Sequence, residues 1–519
     1  MIVKTESGTN PAMPSLDAVP ERWRDRVCDL FDTWESVMGR NRVLRDYYEM
    51  HNRLRDLGIS IPPTLTGLNC VTGWCSKAIH AHSSRSVFDG FVFDGQADGT
   101  LDQLVRANRM RSAYRMACAS ALTYGVSAMT VMRGGAGQPA AVVRTYSANQ
   151  FCALWDKDAG RIGCGVVLAD VDRGGNACRY VCHFPDAVLT LTRSDVDATA
   201  SRWACEVEPN PMGRPLMEVF CNDPDPDRPL GHSMLTPELL GIVDKAMRDV
   251  LRMEIGAEFF TFPQRYILGC DDGIFSTPPE LDAAPSDGKE PDTDVTDTAT
   301  EWDPDDEAAK PARQSTPLER FNAYIGSFIA INRDENGDLP QVGQFPAPTA
   351  DNFTRVFEND AQRFSGATNV PLAQLGVLSN TYTSSDALGA ANDPLILEVE
   401  RINADNKETL EEVARMMMAV AGGVPLDGLT EQQRGVQAYF QDPSMPTIAA
   451  RADAWTKLAG ADKAIVGTDV YYEGIGLSRP TIQRLRAETR QQGAIASLNA
   501  MADAMGSSPS GAADEGGAQ

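Results

Sequence analysis

The stretch that most constrains this chain is an apolar loop feeding one long amphipathic helix, from about Asn369 to Gly422. The loop reads Asn369-Val-Pro-Leu-Ala-Gln-Leu-Gly-Val-Leu-Ser-Asn380, and Thr381-Tyr-Thr-Ser-Ser-Asp386 begins the helix. Ser384 or Ser385 suits the cap, because a hydroxyl there accepts from an orphaned amide, and Asp386 suits the positive helix end. Leu388, Leu395, Val399, Ile402, Leu410, Val413, Met417 and Val420 recur at spacings of three, four, seven or eight, which is one apolar stripe. Pro394 lies inside that stripe and must kink or end the helix, having no N–H to give. Gly422-Gly423 close it.

A helix of this length must be packed along its length, and on the stripe alone the chain reads as an α+β enzyme with a long core helix. The preceding loop points elsewhere. Val370, Pro371, Leu372, Leu375, Val377 and Leu378 are too apolar for a solvated surface loop. Such a segment is either buried or pressed against another copy of the same chain.

At 519 residues the chain is long enough for two to four units. Its 42% apolar and 23% charged residues are those of an ordinary globular protein. No apolar run reaches the ~20 residues that span a bilayer, and Met1-Ile-Val-Lys-Thr-Glu-Ser7 holds no signal core, so neither membrane nor secretion is expected. Eleven cysteines between Cys28 and Cys270 fit reduced core thiols better than a disulfide framework. Cys178-x3-Cys182-His183 and His80-Ala-His82 lack the paired spacing of zinc sites, so no metal or cofactor is expected. With a net charge of −25, the chain either avoids DNA or must let it slide without sticking, since gripping phosphates takes a basic face.

In chain order, residues 1–20 read as a loose arm. Glu21 to about Leu57 is helical, with Trp23, Val27, Leu30, Phe31 and Trp34 on one face and a break at Gly39. Arg40, Arg42, Arg45, Arg53 and Arg55 make it the most basic stretch, read as a solvated face ahead of a phosphate patch. Helices follow from Asn69 to Ser84 and from Thr100 to Thr123, with a strand between them over Arg85–Gly95. The period then falls to two, with strands at 126–132, 140–145, 151–155, 162–168, 179–184 and 188–191, an antiparallel β unit. Asp223-Pro-Asp-Pro-Asp-Arg-Pro229 reads as a linker, and Thr236-Pro-Glu as a helix start. The acids of that helix, Asp244 and Asp249 among them, fit a solvated or interface face better than a glycosidase-like pair. A strand at Arg265–Gly269 precedes residues 271–310, where fourteen Asp or Glu face two lysines, an acidic insertion read as disordered or partly ordered. Ser327–Asn332 and Gln341–Phe345 read as a strand pair, and 349–364 as a helix with Phe353, Val356, Phe357 and Phe364 inward. Beyond Gly423 come a strand at Val436–Phe440, helices from Ile448 to about Arg490, and a disordered tail. No Gly-Lys-Ser/Thr follows the glycine-rich turn Gly134-Gly-Ala-Gly137, and neither GxSxG nor HExxH occurs, so no catalytic residue is assigned and no enzyme is expected.

This order of elements resembles the portal, or head-tail connector, proteins of tailed bacteriophages, of the long-tailed type found in phages of actinobacteria. The resemblance rests on four stretches: Tyr47-Tyr-Glu-Met-His-Asn-Arg-Leu-Arg-Asp-Leu-Gly58 with Ile61-Pro-Pro63; Gly73-Trp-Cys-Ser-Lys-Ala-Ile79 leading to Arg85-Ser-Val-Phe-Asp-Gly-Phe91; Pro263-Gln-Arg-Tyr-Ile-Leu-Gly269 with Gly337-Asp-Leu-Pro-Gln-Val-Gly-Gln-Phe345; and Pro371-Leu-Ala-Gln-Leu-Gly-Val377 with Thr383-Ser-Ser-Asp-Ala-Leu388. It implies an α+β portal fold in a ring, usually of ~12 copies closed head to tail. Such a ring sits at one capsid vertex of the virion and passes double-stranded DNA during packaging and ejection. The implied parts are a wing over 21–230, a first stem helix over 231–261, a clip over 262–345 and a second stem helix over 346–367. A tunnel loop over 368–383, a kinked wing helix over 384–423 and a crown over 424–495 complete them. Implied partners are other copies, DNA, the terminase large subunit, major capsid and scaffolding proteins, and head-completion adaptors, with assembly in the cytoplasm of the infected bacterium. In that frame Gln374, Asn380, Tyr382 and Thr383 would face DNA without gripping it, while Leu372, Leu375, Val377 and Leu378 would pack against a neighbouring subunit, which would explain the apolar loop. Another virion structural component, such as a minor head or adaptor protein, is the second reading, and a hydrolase with unpaired carboxylates the third.

Overall fold

The computed structural model describes residues 14–52, 70–93, 99–194, 202–261, 265–268, 341–344, 350–377, 389–444, 448–477, 481–482, 484–492 and 495. In chain order these form α1 (Glu21–Tyr48), α2 (Trp74–Ser83), β1 (Phe88–Phe93), α3 (Gly99–Ala107) and α4 (Met110–Tyr124). Eight strands follow: β2 (Val126–Arg133), β3 (Ala141–Ser147), β4 (Phe151–Asp156), β5 (Arg161–Val171), β6 (Ala177–His183), β7 (Ala187–Ser194), β8 (Arg202–Pro209) and β9 (Met217–Cys221). Then come α5 (Pro237–Thr261), β10 (Arg265–Leu268), β11 (Gln341–Gln344), α6 (Ala350–Thr368), α7 (Leu372–Leu375) and α8 (Asp393–Gly422). The chain closes with α9 (Glu431–Arg434), β12 (Val436–Phe440), α10 (Ile448–Ala461) and α11 (Asp469–Ile475). The arm before residue 14, the acidic insertion, the strand expected at 327–332, the helix cap at 384–386 and the tail lie outside the described residues.

The chain divides into two compact units. The first comprises Met1–Asn41, Ile79–Met234 and Asn380–Gln519; the second comprises Arg42–Ala78 and Leu235–Ser379. Fold class follows expectation: helices with antiparallel sheets.

In the first unit the apolar face of α1 lies on a five-stranded antiparallel meander of order β4-β5-β6-β7-β8. Trp23, Val27, Leu30, Phe31, Trp34 and Met38 fall at helical spacing, and strand alternation turns Cys164, Val166, Tyr180, Cys182, Leu189 and Leu191 toward them. Phe31 meets Tyr180 edge to face at 5.0 Å, the geometry that ring quadrupoles favour. Gly39 does not break α1, since the helix runs through it with open space around. A second sheet, β3-β2-β9, carries α4 and α8. β12 returns from far along the chain to pair with β1, Phe91 opposite Ala438.

The stripe of α8 is buried as its period requires, from Leu395 through Val399, Ile402, Leu410, Val413 and Met417 to Val420. Residues 389–390 are helical, the chain turns at 391–392, and α8 begins at Asp393 with Pro394 in its first turn, where the missing N–H would have had no intrahelical acceptor, so the helical run is interrupted at the proline as expected. Two asparagines share the buried face. Asn403 Oδ1 accepts from Ser86 Oγ at 2.6 Å, Ser86 Oγ contacts Tyr114 Oη at 2.6 Å, and Asn406 Nδ2 donates to Tyr114 Oη at 3.0 Å. These bonds satisfy buried polar atoms that would otherwise cost about 1–3 kcal/mol each.

Two further expectations are corrected. The helix read over 100–123 is two helices: Arg109 adopts φ 50°, and Asn108 turns its amide to Ala141 O and Val143 N, mimicking a strand partner of β3. The Asp223–Pro229 linker is a tight fold-back. His232 N donates to Asn222 O at 2.7 Å, and Gly231, at φ 76°, sits where a Cβ would meet Asn222 O at 2.4 Å. Gln341–Gln344 pairs with Arg265–Leu268, while 327–332, the partner expected for it, lies outside the described residues.

Candidate functional site

The second unit holds the elements on which the functional expectation rests: α5, α6, the β10–β11 ladder and the segment over 368–377. α5 starts as its sequence dictates, with Thr236 Oγ1 accepting from Leu239 N at 3.4 Å and Pro237 in the first turn. Its face of Leu239, Ile242, Val243, Ala246, Met247 and Leu251 is buried, and α5 packs on α6. From α6, Phe364 is fully buried and stands 5.5 Å from Trp74 of α2, while Phe357 lies 5.1 Å from the same indole. Val356, expected inward, is 41% exposed, because the stripe through Phe353, Phe357, Asp360 and Phe364 leaves it on the outer side.

One ion pair joins the two helices, and two more within α5 support it. Asp360 of α6 is fully buried and takes Lys245 Nζ of α5 at 2.5 Å. The same ammonium lies 3.4 Å from Asp249, whose other oxygen accepts from Arg252 Nη1 at 2.8 Å. Asp249 is 3% exposed, not the solvated acid that its sequence neighbourhood suggested. Burial pushes the Asp360 carboxyl above the usual carboxylate range; the Lys245 contact pulls it down, and neighbouring Asp249 pushes it up again. One turn earlier Tyr47 Oη donates to Asp244 Oδ1 at 2.5 Å. Each of these acids is bound to a protein donor, and Asp249 and Asp360 are out of reach of a substrate. They act as a structural network.

The apolar loop folds tightly. Asn369 turns the chain at φ 56°, Ser365 Oγ donates to Val370 O at 2.7 Å, and one turn of helix, α7, ends at Gly376 with φ 85°. Val370, Pro371 and Leu375 are buried by this chain itself, whereas Leu372 and Val377 are half-buried. That corrects the premise that the loop needs a neighbouring subunit to hide it. Leu375 in particular offers little surface to one. Gln374 is half-buried on α7; Leu378, Asn380, Tyr382 and Thr383 lie outside the described residues.

Of the basic stretch, Arg53 and Arg55 lie outside the described residues, and Arg42 is exposed. Arg40 donates to Tyr124 O at 3.2 Å, capping the C-terminal end of α4, and burial depresses its pKa. The ten described cysteines carry free thiols, and burial raises several, Cys75, Cys152 and Cys221 to about 12, which leaves them unreactive. Among the described residues no group of three His, Cys, Asp or Glu is arranged to hold a metal ion, and no helix is long and apolar enough to cross a membrane. Sequence reasoning missed the Lys245–Asp249–Asp360 network, although Asp360 stands three and four residues from Phe357 and Phe364 on the same helical face. A carboxylate on an apolar stripe was the available signal.

Comparison with known proteins bears on these elements together. The family model of "Phage portal protein, SPP1 Gp6-like" matches residues 29–466. The portal protein of Mycobacterium phage D29 is 25% identical over 504 residues, covering 94% of this chain and 92% of its own. That of Mycobacterium phage L5 is 24% identical over 511 residues, covering 95% and 94%. Among solved structures, the neck of a native gene transfer agent particle, computed with C12 symmetry, matches at 12% identity. It covers 83% of this chain and 98% of that one, with a TM-score of 0.40.

Proposed function

Because the chain belongs to the SPP1 Gp6-like family of phage portal proteins, we propose that its copies close into the ring that passes double-stranded DNA into and out of a tailed-phage head. It is a portal protein, a structural component of the virion. The observation that carries the finer reading is the family match running unbroken through both compact units, from within α1 to the residues just past α10. α5 and α6 then serve as the paired stem helices, and β10–β11 as the base of the clip, the surface for the terminase large subunit and later for head-completion adaptors. The first unit supplies wing and crown, in contact with major capsid and scaffolding proteins, and assembly takes place in the cytoplasm of the infected bacterium.

The physics supports this division. A stem under load from moving DNA benefits from helices locked by buried ion pairs with one geometry, as Lys245 and Asp360 provide. A net charge of −25 leaves little to hold phosphates, and each phosphate contact made would add about one unit of salt-dependent slope and slow the strand. Gln374, Asn380, Tyr382 and Thr383 are the proposed lumen-facing residues, polar and uncharged, and Leu372, Val377 and Leu378 the proposed contacts to the next subunit. Cryo-electron microscopy of the purified full chain tests the reading. A channel-bearing ring of about twelve subunits is expected; a stable monomer at micromolar concentration would overturn it. Gln374→Arg should slow DNA packaging, and unchanged packaging kinetics would remove Gln374 from the lumen.

A further inference from the structure

A cavity of about 350 Å³ opens beside the β4–β5 hairpin of the first unit. Four arginines and one carboxylate line it: Arg22 and Arg26 from the first turns of α1, Arg161 from the start of β5, Arg214 from the loop before β9, and Asp156 at the end of β4, whose Oδ1 accepts from Asp158 N and Ala159 N of the hairpin turn. Arg22 is held by Asp186 at 2.8 Å, and Arg214 by Glu218 and Glu412. Arg26 and Arg161 are exposed and have no carboxylate within ion-pair distance among the described residues. Arg26 lies against the Cys164 thiol, and Phe184 lines the same wall. Two guanidinium groups without an ion-pair partner, against the single lining carboxylate of Asp156 and over a partly apolar wall, form a receptor for carboxylate in a chain of net charge −25. At about 350 Å³ the cavity is far too small to admit a DNA duplex, whose major groove alone is about 12 Å wide and about 8.5 Å deep.

The opposite edge of the same sheet carries the complement. β4 and β8 are the two edges of the five-stranded meander. On β8 the exposed Glu206 and Glu208 flank Val207, which is 42% exposed. Neither glutamate has a cation within ion-pair distance among the described residues. Two residues apart on a strand, they share one face, about 7 Å from each other.

We propose that Glu206 and Glu208 of one copy seat in the arginine-lined cavity of the next, making the two edges of this sheet the two halves of a head-to-tail subunit contact. A patch on one edge and its complement on the other is a heterologous interface, the kind that closes into rings. It also gives subunits of like net charge a local attraction that fixes their register. This assignment rests on the ring reading above.

The test is a charge swap in the full chain, with ring assembly followed by mass photometry and negative stain over a concentration series. Arg26→Glu/Arg161→Glu and Glu206→Arg/Glu208→Arg should each raise the concentration needed for rings at least tenfold. Combining all four should bring it back to within about threefold of the parent. Lys457→Glu/Arg484→Glu makes the same charge change as the arginine variant at two exposed sites elsewhere and should leave assembly as it was. Circular dichroism confirms that each variant folds. Normal rings from either reversed pair, or a combined variant no better than its parents, would overturn the contact. So would loss of DNA retention with normal assembly, which would make the cavity a phosphate site. A parent chain that forms no ring at all would count against the ring reading itself.

Discussion

Replacing Lys245 with methionine isolates the buried link between α5 and α6. Methionine follows the lysine side chain out to its ε-carbon, with sulfur in place of Cδ, and lacks the ammonium 2.5 Å from Asp360, a carboxylate with no exposed surface. Asp360 then has two routes. Left ionised and unpaired it costs about 3–5 kcal/mol. Taking up a proton instead costs about 4 kcal/mol at pH 7 for an aspartate of ordinary pKa ~3.9, and about 1.5 kcal/mol at pH 5. The cheaper route sets the penalty. Lys245 is itself 38% exposed, so water replaces part of what it gave and the penalty at pH 7 falls to about 2–4 kcal/mol.

The pH dependence follows from the direction of the shift. The folded pKa of Asp360 already stands above its ordinary value, and losing Lys245 raises it further. A group raised on folding contributes stability below its unfolded pKa and loses it as pH rises through the folded one. The variant should therefore resemble the parent most closely near pH 4–5 and differ most at neutral pH. Hydrogen exchange of the α5 and α6 amides, read by mass spectrometry and corrected for intrinsic rates, measures it: protection should drop about 30- to 1,000-fold at pH 7 and about tenfold at pH 5. Adding Asp360→Asn should restore most of the loss. An equal drop at both pH values, or none at pH 7, would refute the buried-pair argument.

Three other substitutions test the first unit. His183 is fully buried with no hydrogen-bond partner for either ring nitrogen, and burial lowers its pKa to about 4. The unfolded chain takes up that proton first, so stability should fall by up to ~3 kcal/mol between about pH 6.5 and pH 4; urea melts of His183→Leu should lack that component. Asn108→Ala removes two bonds tying the α3–α4 junction to β3 and a third to Leu104 O of α3, at a cost of ~2–3 kcal/mol in urea melts. A change under 0.5 kcal/mol would mean that water replaces the amide. Gly231→Ala sets a Cβ against two backbone oxygens at a positive φ, and a loss above ~3 kcal/mol in thermal or urea melts is expected.

The β unit was legible in outline. Six of its strands follow from alternation and turn residues; β8 and β9 do not, although Cys205 and Val207 alternate with Glu206 and Glu208. The apolar face of α1 and the stripe of α8 were legible because both are simple helical periods. Of the proposed lumen and packing residues, the structure describes Gln374, Leu372, Leu375 and Val377, and it moves Leu375 into the chain's own interior.

The sequence by itself determined the main helical faces, six strands of the β unit and, through four motif stretches, the resemblance to the family. Local periodicity and turn chemistry encode these within a few residues of chain. Only the tertiary structure decided that β12 closes on β1, that Asp360 is a buried partner of Lys245, and that the apolar loop folds onto its own subunit. Each joins residues far apart along the chain, and burial depends on what arrives from elsewhere, which no local pattern records.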